Sequence, residues 1–255
     1  MKQFYFICGL PRSGSTLLAG ILNQNPNTHA SMSTTLHTLF CEIQYNKSTD
    51  IISPSEEQAF DLYKNTANGY YSNVEKNLIF DTNRGWPRFI GLLPRLFPYT
   101  KLIICVRDIP SIINSFENHY LFKNVAPSYI SPDGCNNPWK RFDEWYMNMI
   151  ANHYDYCEYI YYSDELKKHC IFIDYDELVN KTSTVINNLY SELNLPSFIH
   201  DFDTINHSFE YIDDNAGNHN LHKVFTKVGK TPTKWILPKG VVEKYSKPCF
   251  WKSES

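Results

Sequence analysis

The chain has 255 residues, 42% of them hydrophobic and 15% aromatic, with a formal net charge of −3. That is enough apolar material for one sizeable core, and it leaves no general positive field to hold a nucleic acid, so the expected partner is a small molecule. Seven cysteines, at Cys8, Cys41, Cys105, Cys135, Cys157, Cys170 and Cys249, show neither Cys-x-x-Cys pairing nor zinc-like spacing with histidine, which speaks for reduced thiols rather than a disulfide scaffold or a zinc module.

The chain moves almost at once into "QFYFIC", with no basic leader, and no later apolar run approaches the ~18 residues of a membrane span. The expectation is a soluble cytoplasmic protein, one domain over 1–255. Strands are expected over 4–8, 78–80, 101–106 and 169–174, as short apolar runs closed by turn signals. Helices are expected over 15–24, 56–68, 87–96, 110–120, 139–161 and 182–193, with Pro110 suited to a first turn because its missing N–H would have no partner there. This alternation predicts an α/β fold, a central parallel sheet with helices on both faces. Residues 122–138, rich in Pro, Ser, Asn and Gly, read as a loop or lid. From 197 to 255 periodicity fades and an irregular tail packed on the domain is expected.

The stretch "CGLPRSGSTLL" has the Gly-x-x-x-x-Gly spacing of a phosphate-binding loop between Gly9 and Gly14, followed by Ser15 and Thr16. Strand, glycine-punctuated turn and helix start place backbone N–H groups and a positive helix end around one point, which favours an anion. Ser15 stands where a nucleotide triphosphatase has its lysine, and the cation lies inside the loop as Arg12. A planar, permanently charged guanidinium suits a tetrahedral oxyanion and can neutralise charge developing on a bridging oxygen. Such a loop can bind a phosphate–sulfate anhydride without a metal.

"GLPRSGSTLL" resembles the 5′-phosphosulfate loop of the sulfotransferases that use 3′-phosphoadenosine 5′-phosphosulfate, in the "PRSG" form of the carbohydrate and tyrosylprotein members. The resemblance implies a P-loop-like sulfotransferase fold, with Pro11, Arg12, Ser13, Gly14, Ser15 and Thr16 around the donor and Arg12 acting on the transferring group. A second stretch, "KLIICVRDIPSIINSF", ends a strand at Arg107 and carries Ser111 and Ser115 on one helix face. It is similar to the family's 3′-phosphate site, which implies that Arg107 and Ser115 hold that phosphate, although this chain has "RDIP" where the family commonly has Arg-Asp-Pro. The tail segment "HKVFTKVGKTPTKW" resembles the late basic segment that closes the donor site in relatives, implying a donor contact from Lys227 or Lys230.

The resemblance further implies a sulfuryl acceptor with a hydroxyl group, on a carbohydrate, lipid, peptide or small metabolite, and 3′,5′-adenosine bisphosphate as the second product. A general base must take the acceptor's proton. Asp81, ending a strand at the reacting edge in "LIFDTNRGWPRF", is one candidate, and a helix cap or an ion pair with Arg84 is its alternative role. His37 is the rival base or a structural histidine. An ATP-dependent kinase-like P-loop protein and a non-catalytic module for a 3′,5′-bisphosphate nucleotide are the competing readings.

Overall fold

A computed structural model describes residues 2–49, 54–123, 129–205, 209, 227–229 and 234–252. Five strands, β1 (Gln3–Gly9), β2 (Thr28–Ala30), β3 (Leu78–Thr82), β4 (Leu102–Val106) and β5 (Cys170–Asp174), form one sheet in the order β2-β3-β1-β4-β5. All four pairings are parallel, with Phe6 opposite Asp81 on one side and Leu102 on the other. Four of the strands lie where the apolar runs predict them. Three-residue β2 is too short to leave a periodic signal.

A strand buried on both faces must supply two cores, and β1 does so by alternation. Phe4, Phe6 and Cys8 enter a cluster with Leu36, Phe40, Trp86, Phe89, Ile112 and Phe116. Tyr5 and Ile7 enter the opposite cluster with Leu18, Ile21, Leu22, Leu178, Ile186 and Leu189. Each such large side chain contributes on the order of 1.5–3 kcal/mol by leaving water.

The second cluster is covered by α1 (Ser15–Leu22), α10 (Tyr175–Asn180) and α11 (Thr182–Glu192), with the short α9 (Asp164–Lys167) leading into β5. The first is covered by α2 (Leu36–Thr49), α3 (Glu56–Tyr70), α5 (Ile109–Lys123), α7 (Pro138–Trp145) and α8 (Ala151–Tyr162). Between α2 and α5 the chain also forms a 3₁₀ turn at Trp86–Phe89 and the short helix α4 (Leu93–Leu96), where one helix over 87–96 was expected. Pro87 and Pro94 break that span into two pieces. The expected 139–161 helix is also interrupted, by a π-helical turn at Tyr146–Ile150. α2 was not expected, because its first turn mixes apolar and polar residues without a clean stripe.

Part of the 122–138 segment is helical, as α6 (Pro132–Asn136), capped by the Ser131 hydroxyl. Behind it Glu117 and Arg141, each with a side chain 4% exposed, form an ion pair, and Trp145 Nε1 donates to the same carboxylate at 3.1 Å. The tail is less irregular than expected. Residues 239–245 form a helix that buries Val241 and Tyr245, Phe250 enters the first core, and Trp251 Nε1 donates to Asp174 at 2.6 Å. Among the described residues no helix is long and apolar enough to cross a membrane.

β1 sits mid-sheet, with α1 leaving its end toward one face and α5 leaving the end of neighbouring β4 toward the other. The crevice outside the carboxyl ends of β1 and β4 is therefore the switch point at which open α/β sheets bind ligands.

Candidate active site

The loop between β1 and α1 is shaped by close approach. Gly9 has φ of 122°, and a β-carbon there would lie 2.0 Å from the Cys105 carbonyl oxygen, so only glycine lets β1 pass β4 at this height. Leu10 N–H donates to that same carbonyl at 2.9 Å. Arg12 adopts φ of 58°, a left-handed conformation that costs a non-glycine residue of order 1–3 kcal/mol and persists only where the surroundings enforce it. Gly14, at φ of 94°, caps α1 without a side-chain hydrogen bond, which leaves the first-turn N–H groups of Ser15, Thr16 and Leu17 turned toward the loop.

Ser13 departs from the expected cradle. Its hydroxyl is fully buried, 2.5 Å from the Leu10 carbonyl and 3.0 Å from that of Cys105. That side chain staples the loop to β4, so only its backbone can serve an anion.

The second anchor meets the first directly. Arg107, ending β4, donates from Nη1 to the Arg12 carbonyl at 2.9 Å, and its guanidinium lies 4.0 Å above the Tyr175 ring centroid. Arg12 Nε in turn donates to Ser115 Oγ at 3.1 Å. Asp108 accepts from Ser111 N–H at 2.9 Å and so starts α5, which absorbs the shifted proline of "RDIP". Residues 12, 107 and 115, far apart in sequence, thus form one cationic cluster at the switch point. Tyr175, at the start of α10, carried no local signal for its place under Arg107.

On the far side the two candidate bases are placed otherwise than expected. Asp81 is 0% exposed and accepts from Tyr71 OH at 2.5 Å, Thr34 Oγ1 at 2.7 Å and Trp86 Nε1 at 2.8 Å. Burial pushes its carboxyl above the ordinary range, and the three donors pull the other way without cancelling it. Asp81 therefore ties β3 to α3 and the Trp86 turn, and no face of it is open to a substrate. Its expected partner Arg84 makes no ion pair with it among the described residues. His37 packs edge-on against Trp86 and Phe89, at 5.3 and 5.5 Å between centroids, and its ring lies against Gly85. Burial lowers its pKa. It is a packing histidine in this arrangement.

Arg84 instead belongs with residues that the linear pattern did not single out. Its charge acts on the Tyr129 hydroxyl, as does that of Arg12, and it also acts on His153. Tyr129 is fixed from both sides: its carbonyl accepts from Asn148 Nδ2 at 2.8 Å, and its ring meets Trp145 at 5.8 Å. Trp145 in turn stacks on Phe116, the residue after Ser115, at 4.9 Å. His153 stands on α8 just beyond the π-helical turn and is half-buried.

In the tail, Lys227 pairs with Asp203 at 2.6 Å on an exposed surface, not with the donor loop, and Lys230 lies outside the described residues. Residue 234 is held to α5, because its carbonyl accepts from Asn114 Nδ2 at 3.2 Å and Asn118 Nδ2 at 2.9 Å.

A profile of the sulfotransferase family matches residues 5–200, a span that takes in residues 9–16, 107–115 and all of the sheet but the first two residues of β1. The chain belongs to the sulfotransferase family. A Caenorhabditis briggsae protein named as a protein-tyrosine sulfotransferase is 21% identical over 206 residues, 76% of this chain, and the chain spans 66% of that relative, just under two thirds. A sulfotransferase from Alicyclobacillus acidocaldarius superposes with a TM-score of 0.50 at 15% identity, covering 79% of this chain and 85% of the other, which is a likeness of fold. The sulfotransferase domain from the curacin biosynthetic pathway is 21% identical, with a TM-score of 0.47 and coverage of 78% and 76%. Within this sulfotransferase-family chain, the 9–16 loop and the 107–115 segment meet at the ends of β1 and β4.

Proposed function

We propose that this protein transfers a sulfuryl group from 3′-phosphoadenosine 5′-phosphosulfate to an acceptor hydroxyl. One observation carries the reading: the loop arginine and the strand-end anchor are a single unit, with Arg12 Nε on Ser115 and Arg107 on the Arg12 carbonyl. A nucleotide with phosphate at both the 5′ and the 3′ position needs two anion sites in fixed register, and a joined unit of this kind suits that need. In the reading, Pro11 shapes the loop, the N–H groups of Ser13, Gly14, Ser15 and Thr16 hold the 5′ side, and Arg107 with Ser115 holds the 3′ phosphate. Arg12 neutralises charge on the transferring group and the bridging oxygen, where a kinase would use lysine and magnesium.

The acceptor follows less directly. A peptide tyrosine leads the candidates because of the nematode relative's name, with sugars, lipid headgroups and small metabolites behind it. All seven cysteines are free thiols, which supports a reducing, cytoplasmic setting.

Thermal unfolding of the purified protein with 3′,5′-adenosine bisphosphate against ATP plus magnesium tests the donor site. A ligand at ~100 times its dissociation constant adds about 2.7 kcal/mol, a visible shift in midpoint. Stabilisation by the bisphosphate without metal is the expected result, followed by release of bisphosphate from the phosphosulfate donor across an acceptor panel. Stabilisation by ATP with magnesium alone sinks the assignment.

A further inference from the structure

The 107–115 segment and the C-terminal part of the chain meet on α5, through a buried side chain that the function above leaves unused. We propose that Asn114 is a positioning residue for the nucleotide site: it fixes the main chain of residues 234–236 beside Ser115, so that this segment and a bisphosphate nucleotide favour each other's binding. The inference rests on the nucleotide reading above.

The geometry is a two-point clip. Asn114 Nδ2 donates to the carbonyl of residue 234 at 3.2 Å, and Asn114 Oδ1 accepts from the Ile236 N–H at 2.9 Å. One carboxamide thus takes the two main-chain groups that flank Trp235. Asn118 Nδ2 gives the same carbonyl a second donor at 2.9 Å. Asn114 directly precedes Ser115, and Asn118, three residues after it, shares its helix face. The clip therefore lies on the turn of α5 that carries Ser115, whose hydroxyl accepts from Arg12 Nε at 3.1 Å.

Position 114 is a costly place for an amide. Asn is a weak helix former because its side chain competes for backbone groups, and here it is only 4% exposed. Burial strips its water, and the hydrogen bonds made instead return little beyond that loss. Nor does the clip have to hold the chain down, because Leu237, Val241, Tyr245 and Phe250 are already buried in the first core with Ile112 and Phe116. What the amide adds is register. Apolar contacts tolerate sliding, whereas a paired donor and acceptor accept one alignment. That alignment leaves Lys234 and Trp235, both exposed, beside Ser115. A lysine held there adds to the positive field that a doubly phosphorylated nucleotide meets, and the nucleotide's charge in turn holds the segment.

Coupling of this kind is reciprocal, so the full chain offers two independent readouts. The first is titration calorimetry with 3′,5′-adenosine bisphosphate and with adenosine 5′-monophosphate, which lacks the 3′ phosphate. N114A should weaken the bisphosphate about tenfold and the monophosphate less than about twofold, whereas a merely structural role moves both alike or neither. N118A, which removes one of two donors to the 234 carbonyl, should weaken the bisphosphate about fivefold and decides the matter if N114A does not fold. The second readout is cleavage after Lys234 by a lysine-specific protease, followed by mass spectrometry. Bisphosphate should slow that cut in the wild type and leave it nearly unchanged in N114A. An equal loss for both nucleotides in the deciding variant, bisphosphate affinity within about twofold of wild type, or a wild-type cut that bisphosphate does not slow overturns the clip and leaves the nucleotide reading standing. If the bisphosphate fails to bind the wild type, the nucleotide reading falls and this inference falls with it.

Discussion

The cluster at the ends of β1 and β4 and the enclosure around Asp81 are built in opposite ways. The first is two contiguous stretches, residues 9–16 and 107–115, in which neighbours along the chain are neighbours in space, and the Arg12–Ser115 and Arg107–Arg12 contacts join the two. The second is assembled from the Thr34 segment, Tyr71 just after α3 and the Trp86 turn, three separate stretches whose donors meet on the Asp81 carboxylate. An anion held by backbone N–H groups needs a particular loop geometry, which constrains consecutive residues. A buried carboxylate needs only a few donors at the right depth, and any element can supply them.

Four substitutions would break or sharpen that contrast. The largest effect is expected for Arg12→Ala, which should cut turnover by about 10²–10³-fold, in the range seen when one donor to a developing charge is removed. Bisphosphate affinity measured by thermal shift should change far less. A protein that loses binding and turnover equally is a nucleotide-binding module instead.

Gly9→Ala should follow, at about 2–3 kcal/mol of stability in urea unfolding, since its β-carbon would meet the Cys105 carbonyl oxygen at 2.0 Å and the strand would have to shift. Full stability in that variant would mean that β1 and β4 tolerate separation, and that the donor loop is not set by their approach.

Asp81→Asn comes third, at about 1–3 kcal/mol, because an amide NH₂ would face the Tyr71 and Thr34 donors. Per folded molecule, turnover should stay near wild type, whereas a hundredfold loss would restore Asp81 as the base. This variant also carries a pH signature. Burial raises the folded-state pKa of Asp81 above its unfolded value, so between those two values the folded chain binds more protons and stability falls as pH rises. That slope should be present in wild type and missing in D81N when chemical unfolding is followed across the acid range.

The smallest effect is expected for Ser115→Ala, about tenfold in bisphosphate affinity, or roughly 1.4 kcal/mol. Titration calorimetry that finds no change would separate Ser115 from the 3′ phosphate and leave it as a seat for Arg12 alone.

What could be read from the chain alone follows the same division. Apolar runs of five or six residues marked β1, β4 and β5 because a strand buried on both faces can hold little else. Gly9, Gly14 and Arg12 were legible because a turn with positive φ beside a strand restricts residue type position by position. That Arg107 and Ser115 would stand beside the loop was legible because a strand end followed by a helix has fixed spacing.

The tertiary structure decided the rest. Ser13 turned inward to two carbonyls, Asp81 was enclosed by donors from α3, the Thr34 segment and the Trp86 turn, and Lys227 went to Asp203. His37, offered as a base by its residue type, packs against Trp86 and Phe89 from a helix that the pattern did not predict. Local geometry leaves its mark on consecutive residues, but whether a carboxylate or an imidazole faces solvent, a donor or a substrate depends on groups brought up from elsewhere in the chain. Only packing brings them there.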